Sequence, residues 1–163
     1  MVMGWSITQF RGEEIIEIAL QMEEAGKLFY EKAAQIAEDA KLKEMLNFLA
    51  QEEDKHIQDF RKLGEKLNYN FLPGETYPGE YEDYVRSLVT SHIFNINQVE
   101  DLLKEIKGDK DILRLALSFE KDSIVFFHEF KNMGNQEAQK VIEDLINEER
   151  GHIKKIGSII NKM

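Results

Sequence analysis

Cysteine is absent from the 163 residues, so this polypeptide can build no disulfide, no iron–sulfur cluster and no four-thiolate iron site. Any redox chemistry here must draw its electrons from another molecule. Only two prolines occur, Pro73 and Pro78, and turn-forming residues are few, while Glu, Lys, Leu, Ile and Ala abound. That balance favours an all-helical fold over a sheet. No stretch stays apolar for about 18 residues without a charge, which excludes a membrane span. Met1 to Arg11 also lacks a basic region followed by an apolar core, the mark of a secretory leader. The expectation is a soluble, cytoplasmic chain. Positive charge is in short supply too: 21 basic against 31 acidic residues leave a net charge of -10. Such a surface repels phosphate backbones and anionic membranes, so neither nucleic acid nor membrane is expected as a partner, whereas cations are.

The length suits one domain, 1–163, with enough core to stand without covalent staples. Apolar residues recur at steps of three and four through 12–38, 41–67, 109–132 and 135–162, which predicts four long helices. Breaks near 38–41 and at Gly134 are short, so the helices pair into two antiparallel hairpins, 12–67 and 109–162. The connecting segment 68–108 opens with a turn-rich stretch around the prolines. Tyr81, Tyr84, Val85, Leu88 and Val89 then suggest a helix, and Asn97 with Glu100 reads as a capping box opening another over Val99 to Ile106. A partly helical crossover of this length returns the second hairpin to the first as ferritin-like four-helix bundles require. Tyr69, Phe71, Tyr77, Tyr81 and Tyr84 gather around it and predict cover for a bundle side or a subunit contact.

The hairpins resemble one another. Residues 18–30 align with 115–127, placing Glu23 on Glu120, Gly26 on Ser123 and Tyr30 on Phe127. Leu49 to Ile57 align with Leu145 to Ile153, placing Glu53 on Glu149 and His56 on His152. A duplicated hairpin predicts a pseudo-twofold bundle.

Polar residues interrupt the apolar seams at matching places. The second helix runs Leu42, Leu46, Leu49, Glu53, His56, Phe60, Leu63, Leu67, and the fourth runs Ala138, Ile142, Leu145, Glu149, His152, Ile156, Ile159, Met163. The first reads Ile16, Ala19, Glu23, Gly26, Tyr30, Ala33, Ala37, and the third Leu113, Ala116, Glu120, Ser123, Phe127, Phe130. Four carboxylates thus turn toward one interior layer. A buried, unpaired carboxylate is costly enough that it neutralises or finds a cation. Two divalent cations balance four such charges, and two neutral imidazoles add nitrogen donors. A single Glu-x-x-His on a helix is usually a surface ion pair; two in register, each replacing seam apolars and each facing an inward Glu, predict a dinuclear metal centre. Glu24, Glu52, Asp54, Asp122 and Glu148 fall off the seams and read as a solvated face. His92 and His128 read as packing or surface residues, and the six methionines as core filler.

Through Glu23 with Tyr30, Glu53-x-x-His56, Glu120 with Phe127 and Glu149-x-x-His152, the chain resembles the rubrerythrin branch of the ferritin-like superfamily. The likeness covers all four bundle helices. It implies two iron ions, with manganese or zinc as substitutes, held by Glu23 and Glu120 as terminal ligands, Glu53 and Glu149 as bridging ligands, and His56 and His152 as one imidazole per metal. Tyr30 becomes a phenol beside the cluster. The implied activity is reduction of hydrogen peroxide or dioxygen in oxidative-stress defence. Two departures stand out. The cysteine-bound electron-relay domain has no counterpart, so a separate donor protein is implied, and Ser123 replaces a further glutamate of the family pattern. Ser123 and Gly26, small residues next to the ligands, are expected to leave space for substrate or water. The alternatives are a ferroxidase or iron-storage protein and a metal-free structural bundle. Ending at Met163, directly after the fourth helix, argues for a homodimer, with hairpins retained or exchanged between chains, over a large cage.

Overall fold

The computed structural model describes residues 12–66, 83–84, 87–88, 97–133 and 135–163. Helix α1 spans Gly12–Ile36 and α2 Ala40–Lys66; a short α3 covers Val99–Lys104; α4 spans Asp109–Met133 and α5 Gln136–Ile160. The four long helices match the predicted segments to within two residues at each end. Residues 83–84 and 87–88 are helical as well, with the Ser87 hydroxyl donating to the Asp83 carbonyl. Tyr69, Phe71, Tyr77, Tyr81 and His92 lie outside the described residues, as does the turn-rich opening of the crossover.

Local chemistry sets the helix starts. Asp39 accepts from the Leu42 amide at 2.8 Å and Asn135 from the Ala138 amide at 2.9 Å, each three residues on, which satisfies a donor the helix leaves unpaired. In α3 the N-cap falls at Gln98, one residue after the expected Asn97. Gln98 occupies the N-cap in a helical conformation, makes no side-chain cap bond, and the helix ends at Lys104, short of Ile106. Six residues held by tertiary packing, with Val99 fully buried, need less help from capping.

Helices α1 and α2 pack as one hairpin and α4 and α5 as another, with α1 also against α4 and α3, and α2 against α5. The core falls into two apolar clusters. One joins Ile15 to Met22 of α1, Phe60 and Leu63 of α2, Phe126 to Phe130 of α4 and Ala138 to Ile146 of α5. The other joins Ala25 to Ala34 of α1, Leu42 to Ala50 of α2, Ile112 to Phe119 of α4, Ile156 of α5 and Val99. The early parts of α2 and α4 therefore lie at the same end of the bundle, and those two helices run parallel. Leaving α2 at one end, the chain re-enters α4 at the other, which is why the connection between the hairpins must be long. The Asp109 carboxylate ties that shared end together by accepting from the Glu38 and Asp39 amides at 2.9 and 2.8 Å.

The seams are buried as predicted over most of their length. Among the described residues the exceptions are Ile159, half-buried near the end of α5, and Met163, exposed beyond it; Leu67 lies outside the described residues. Gly26 corrects another expectation. A Cβ built there would meet Phe119 Cζ at 2.2 Å and Cε1 at 2.5 Å, so the space beside Gly26 is filled by an aromatic ring and is closed to substrate. The ring is fully buried and also meets Tyr30 edge-on at 5.9 Å. Gly26→Ala should lower stability by about 1–2 kcal/mol, overpacking outweighing the gain in helix propensity. Chemical denaturation should detect this, and adding Phe119→Leu to the same chain should recover part of the loss.

Candidate metal centre

Between the two apolar clusters lies one polar layer. Glu23 from α1, Glu53 and His56 from α2, Glu120 and Ser123 from α4, and Glu149 and His152 from α5 are all buried, His152 at 2% and the rest at 0% exposure. Glu-x-x-His spacing puts the carboxylate and imidazole of α2 on one face, and likewise in α5, while α1 and α4 each supply a single Glu. The structure brings all six predicted residues together. Their donor atoms fall into two sets whose members lie within 4.8 Å of one another: Glu23, Glu53, His56 and Glu149, and Glu53, Glu120, Glu149 and His152. Glu53 and Glu149 belong to both sets. No other such group of His, Asp and Glu occurs among the described residues, and His128 is exposed, as the sequence indicated.

Each imidazole turns Nδ1 inward. His56 Nδ1 lies 3.0 Å from Glu23 and 3.0 Å from Glu149, and His152 Nδ1 lies 2.9 Å from Glu149 and 3.4 Å from Glu120. The rings stack at 5.8 Å with an interplanar angle of 22°. The outer nitrogens have partners the sequence reading assigned to the solvated face. His56 Nε2 donates to Glu148 at 3.0 Å, although the Glu148 side chain is half exposed, and His152 Nε2 lies 4.0 Å from Glu52, which is mostly covered. The contacts are crossed: Glu148 of α5 serves the histidine of α2, and Glu52 of α2 faces that of α5. The signal was the Glu-Glu doublet before each histidine, 52–53 and 148–149, repeated in both hairpins.

Tyr30 stands where it was expected to stand. Its hydroxyl donates to Glu120 Oε1 at 2.5 Å, and burial together with the nearby Glu120 and Glu53 charges holds the phenol well above its ordinary pKa, so it stays a donor. Phe127, its repeat counterpart, has no hydroxyl to offer Glu23.

The electrostatics are those of too much negative charge in a dry space. Burial, then the Glu23 and Glu149 charges, push Glu53 well above the ordinary carboxylate range; burial and Glu149 do the same to Glu120. Glu149 goes the other way. Burial opposes its ionisation, but the closeness of Glu120, His152 and His56 prevails and lowers its pKa. Burial alone would strip protons from the histidines; their carboxylate neighbours outweigh it, raising His56 well above its usual value and His152 to about 9. Both nitrogens of His56 face carboxylate oxygens, which only accept, so the ring carries two protons. In the metal-free layer, protons thus supply the positive charge. They do so incompletely: Glu23 Oε1, both oxygens of Glu53, Glu120 Oε2 and Glu149 Oε1 are buried without a hydrogen-bond partner. Carboxylate oxygens with inward imidazole nitrogens are the donor set of divalent iron, manganese or zinc.

A helical bundle built of two hairpins around a buried carboxylate and histidine layer defines the class of ferritin-like proteins. The rubrerythrin family model matches residues 14–160, and the chain belongs to the rubrerythrin family. A crystal structure of a candidate ferritin-like diiron-carboxylate protein from Thermotoga maritima is 24% identical, covers 92% of this chain and 94% of its own, and superposes with a TM-score of 0.65, which fixes the fold as ferritin-like. No curated protein sequence matches the chain. None of its described helices is long and apolar enough to cross a membrane.

These shifts carry a pH dependence. The folded protein keeps a proton on His152 up to about pH 9, whereas the unfolded chain releases it near 6.5. The stability this supplies is complete below about 6.5 and is lost as pH rises through 9. The raised pKa values of Glu53 and Glu120 act in the same direction. Scanning calorimetry of the metal-free protein should therefore show Tm falling between pH 6.5 and 9, by about 5 °C or more.

Proposed function

We propose that this chain is a non-haem di-iron oxidoreductase that reduces hydrogen peroxide or dioxygen with electrons from a separate donor protein. The observation that carries the reading is the pair of overlapping donor sets, sharing Glu53 and Glu149, in a fully buried layer with orphaned carboxylate oxygens. On this reading Glu23, Glu53, His56 and Glu149 hold one ion and Glu53, Glu120, Glu149 and His152 the other. Glu23 and Glu120 are terminal, Glu53 and Glu149 are shared, and the family membership favours iron. The Thermotoga maritima protein is itself a candidate diiron-carboxylate protein, in keeping with that choice.

Iron held there would supply the two electrons, one from each ion, that with two protons reduce hydrogen peroxide to two waters. The chain's own residues prepare the setting. Phe60, Phe127 and Leu145 on one side of the layer, and Leu49, Ala116, Phe119 and Ile156 on the other, exclude bulk water. The Tyr30 hydroxyl holds Glu120 Oε1, which leaves Oε2 to face the centre and keeps a proton within reach at the phenol oxygen. Glu148 fixes the tautomer of His56 by accepting from Nε2, so that Nδ1 is the free donor once its proton is displaced. Metal binding therefore releases protons, and its affinity rises with pH. A cytoplasmic homodimer, with hairpins retained or exchanged between chains, is the assembly this reading adopts.

The unaltered protein loaded anaerobically with ferrous iron should bind two ions per chain, and Glu53→Ala should bind one or none. Oxidation followed by absorbance should be faster with peroxide than with dioxygen; the reverse order, with ferric mineral accumulating, would make the protein a ferroxidase. A protein that stays metal-free and equally stable would be a structural bundle. Glu148→Gln should weaken iron affinity by roughly 10- to 100-fold in competition with a chelator. Glu24→Gln, whose side chain pairs with Arg61 outside the layer, should leave it unchanged.

A further inference from the structure

Ser123 follows Glu120 by three residues on α4 and so shares its inward face. It is fully buried, and its hydroxyl has no hydrogen-bond partner, not even the carbonyl one turn back that a helical serine ordinarily uses. A hydroxyl left in that state is destabilising, and native structures tolerate few of them without a role. Its repeat counterpart is closed: the ring of Phe119 occupies the space beside Gly26. The two sides of the centre are therefore unequal. On the α1 side a ring shuts the gap, while α4 presents a bare hydroxyl next to Glu120, whose Oε2 likewise has no hydrogen-bond partner and whose Oε1 is held by Tyr30.

Resting on the di-iron reading, we propose that the Ser123 hydroxyl is the binding group for hydrogen peroxide, donating a hydrogen bond to one peroxide oxygen, or to water in its place, on the α4 side of the centre. A hydroxyl is suited to this because it both donates and accepts, and so can bond HOOH without taking its proton or adding charge to a layer already overloaded with carboxylates. Substrate then enters beside Glu120 and not beside Glu23. Tyr30, donating to that same glutamate, lies on the substrate's side.

The test uses azide, a small anion that substitutes for peroxide without being reduced, titrated into the iron-loaded, oxidised protein and followed by absorbance. Ser123→Ala should keep two irons per chain and bind azide roughly three- to tenfold more weakly, the effect of one lost hydrogen bond. The metal-free Ser123→Ala protein should melt no lower than the parent, because an orphaned polar group has been removed. Unchanged azide affinity at full iron content would overturn the role of Ser123 and leave the di-iron reading standing, and a lowered metal-free Tm would overturn it by revealing a structural bond. Failure of the unaltered protein to bind two irons would overturn both.

Discussion

Four glutamates buried in one layer set the terms for everything around them. Each carboxylate taken out of water demands compensating charge, and four within a few ångströms demand it together. In the metal-free protein the compensation comes from protons, on Glu53, Glu120 and both imidazoles. It is partial, since several carboxylate oxygens keep no partner. The layer persists because it is clamped between two apolar clusters that supply the stability the charges subtract. Metal binding and folding are therefore linked in this bundle. What makes the layer costly in the metal-free protein is what would make it bind cations well.

How much of this the sequence discloses depends on which neighbour a residue meets. Glu53, His56, Glu149 and His152 were legible because each replaces an apolar residue at a seam position, a conflict visible along a single helix. Glu23 and Glu120 were legible because the seam repeats in the duplicated hairpin. Glu148 and Glu52 were not. Standing one residue off the seam, they look like solvated surface, and their partners lie on the opposite hairpin, where helical spacing gives no information. Gly26 failed for a related reason. A small residue on a seam reads as open space, but the structure shows Phe119 reaching across from α4 to fill it. The helix ends were foreseeable to within two residues, with the N-cap of α3 at Gln98, one residue past Asn97.

The duplication keeps the ligand types and their spacing but is unequal in detail. Tyr30 clamps Glu120 while Phe127 offers Glu23 nothing, and a ring fills the gap beside Gly26 while a hydroxyl stands at Ser123. Both asymmetries favour the same side of the layer. A symmetric scaffold would offer two equivalent faces to any small reactant; these substitutions single one out, adjacent to Glu120.

The crossed carboxylates also act on helix register. Neighbouring residues on a helix point about 100° apart, so in each Glu-Glu doublet one glutamate addresses the interior and the other the flank. A slip of α2 or α5 by one residue would move an equally acidic side chain into the layer, so charge alone could not tell the right register from the wrong one. The histidines can, because only the observed alignment lets Glu53 and Glu149 face inward with Nδ1 while Glu148 reaches Nε2 across the gap. The doublets thereby work as a vernier between the hairpins, setting how the two halves slide and turn against each other.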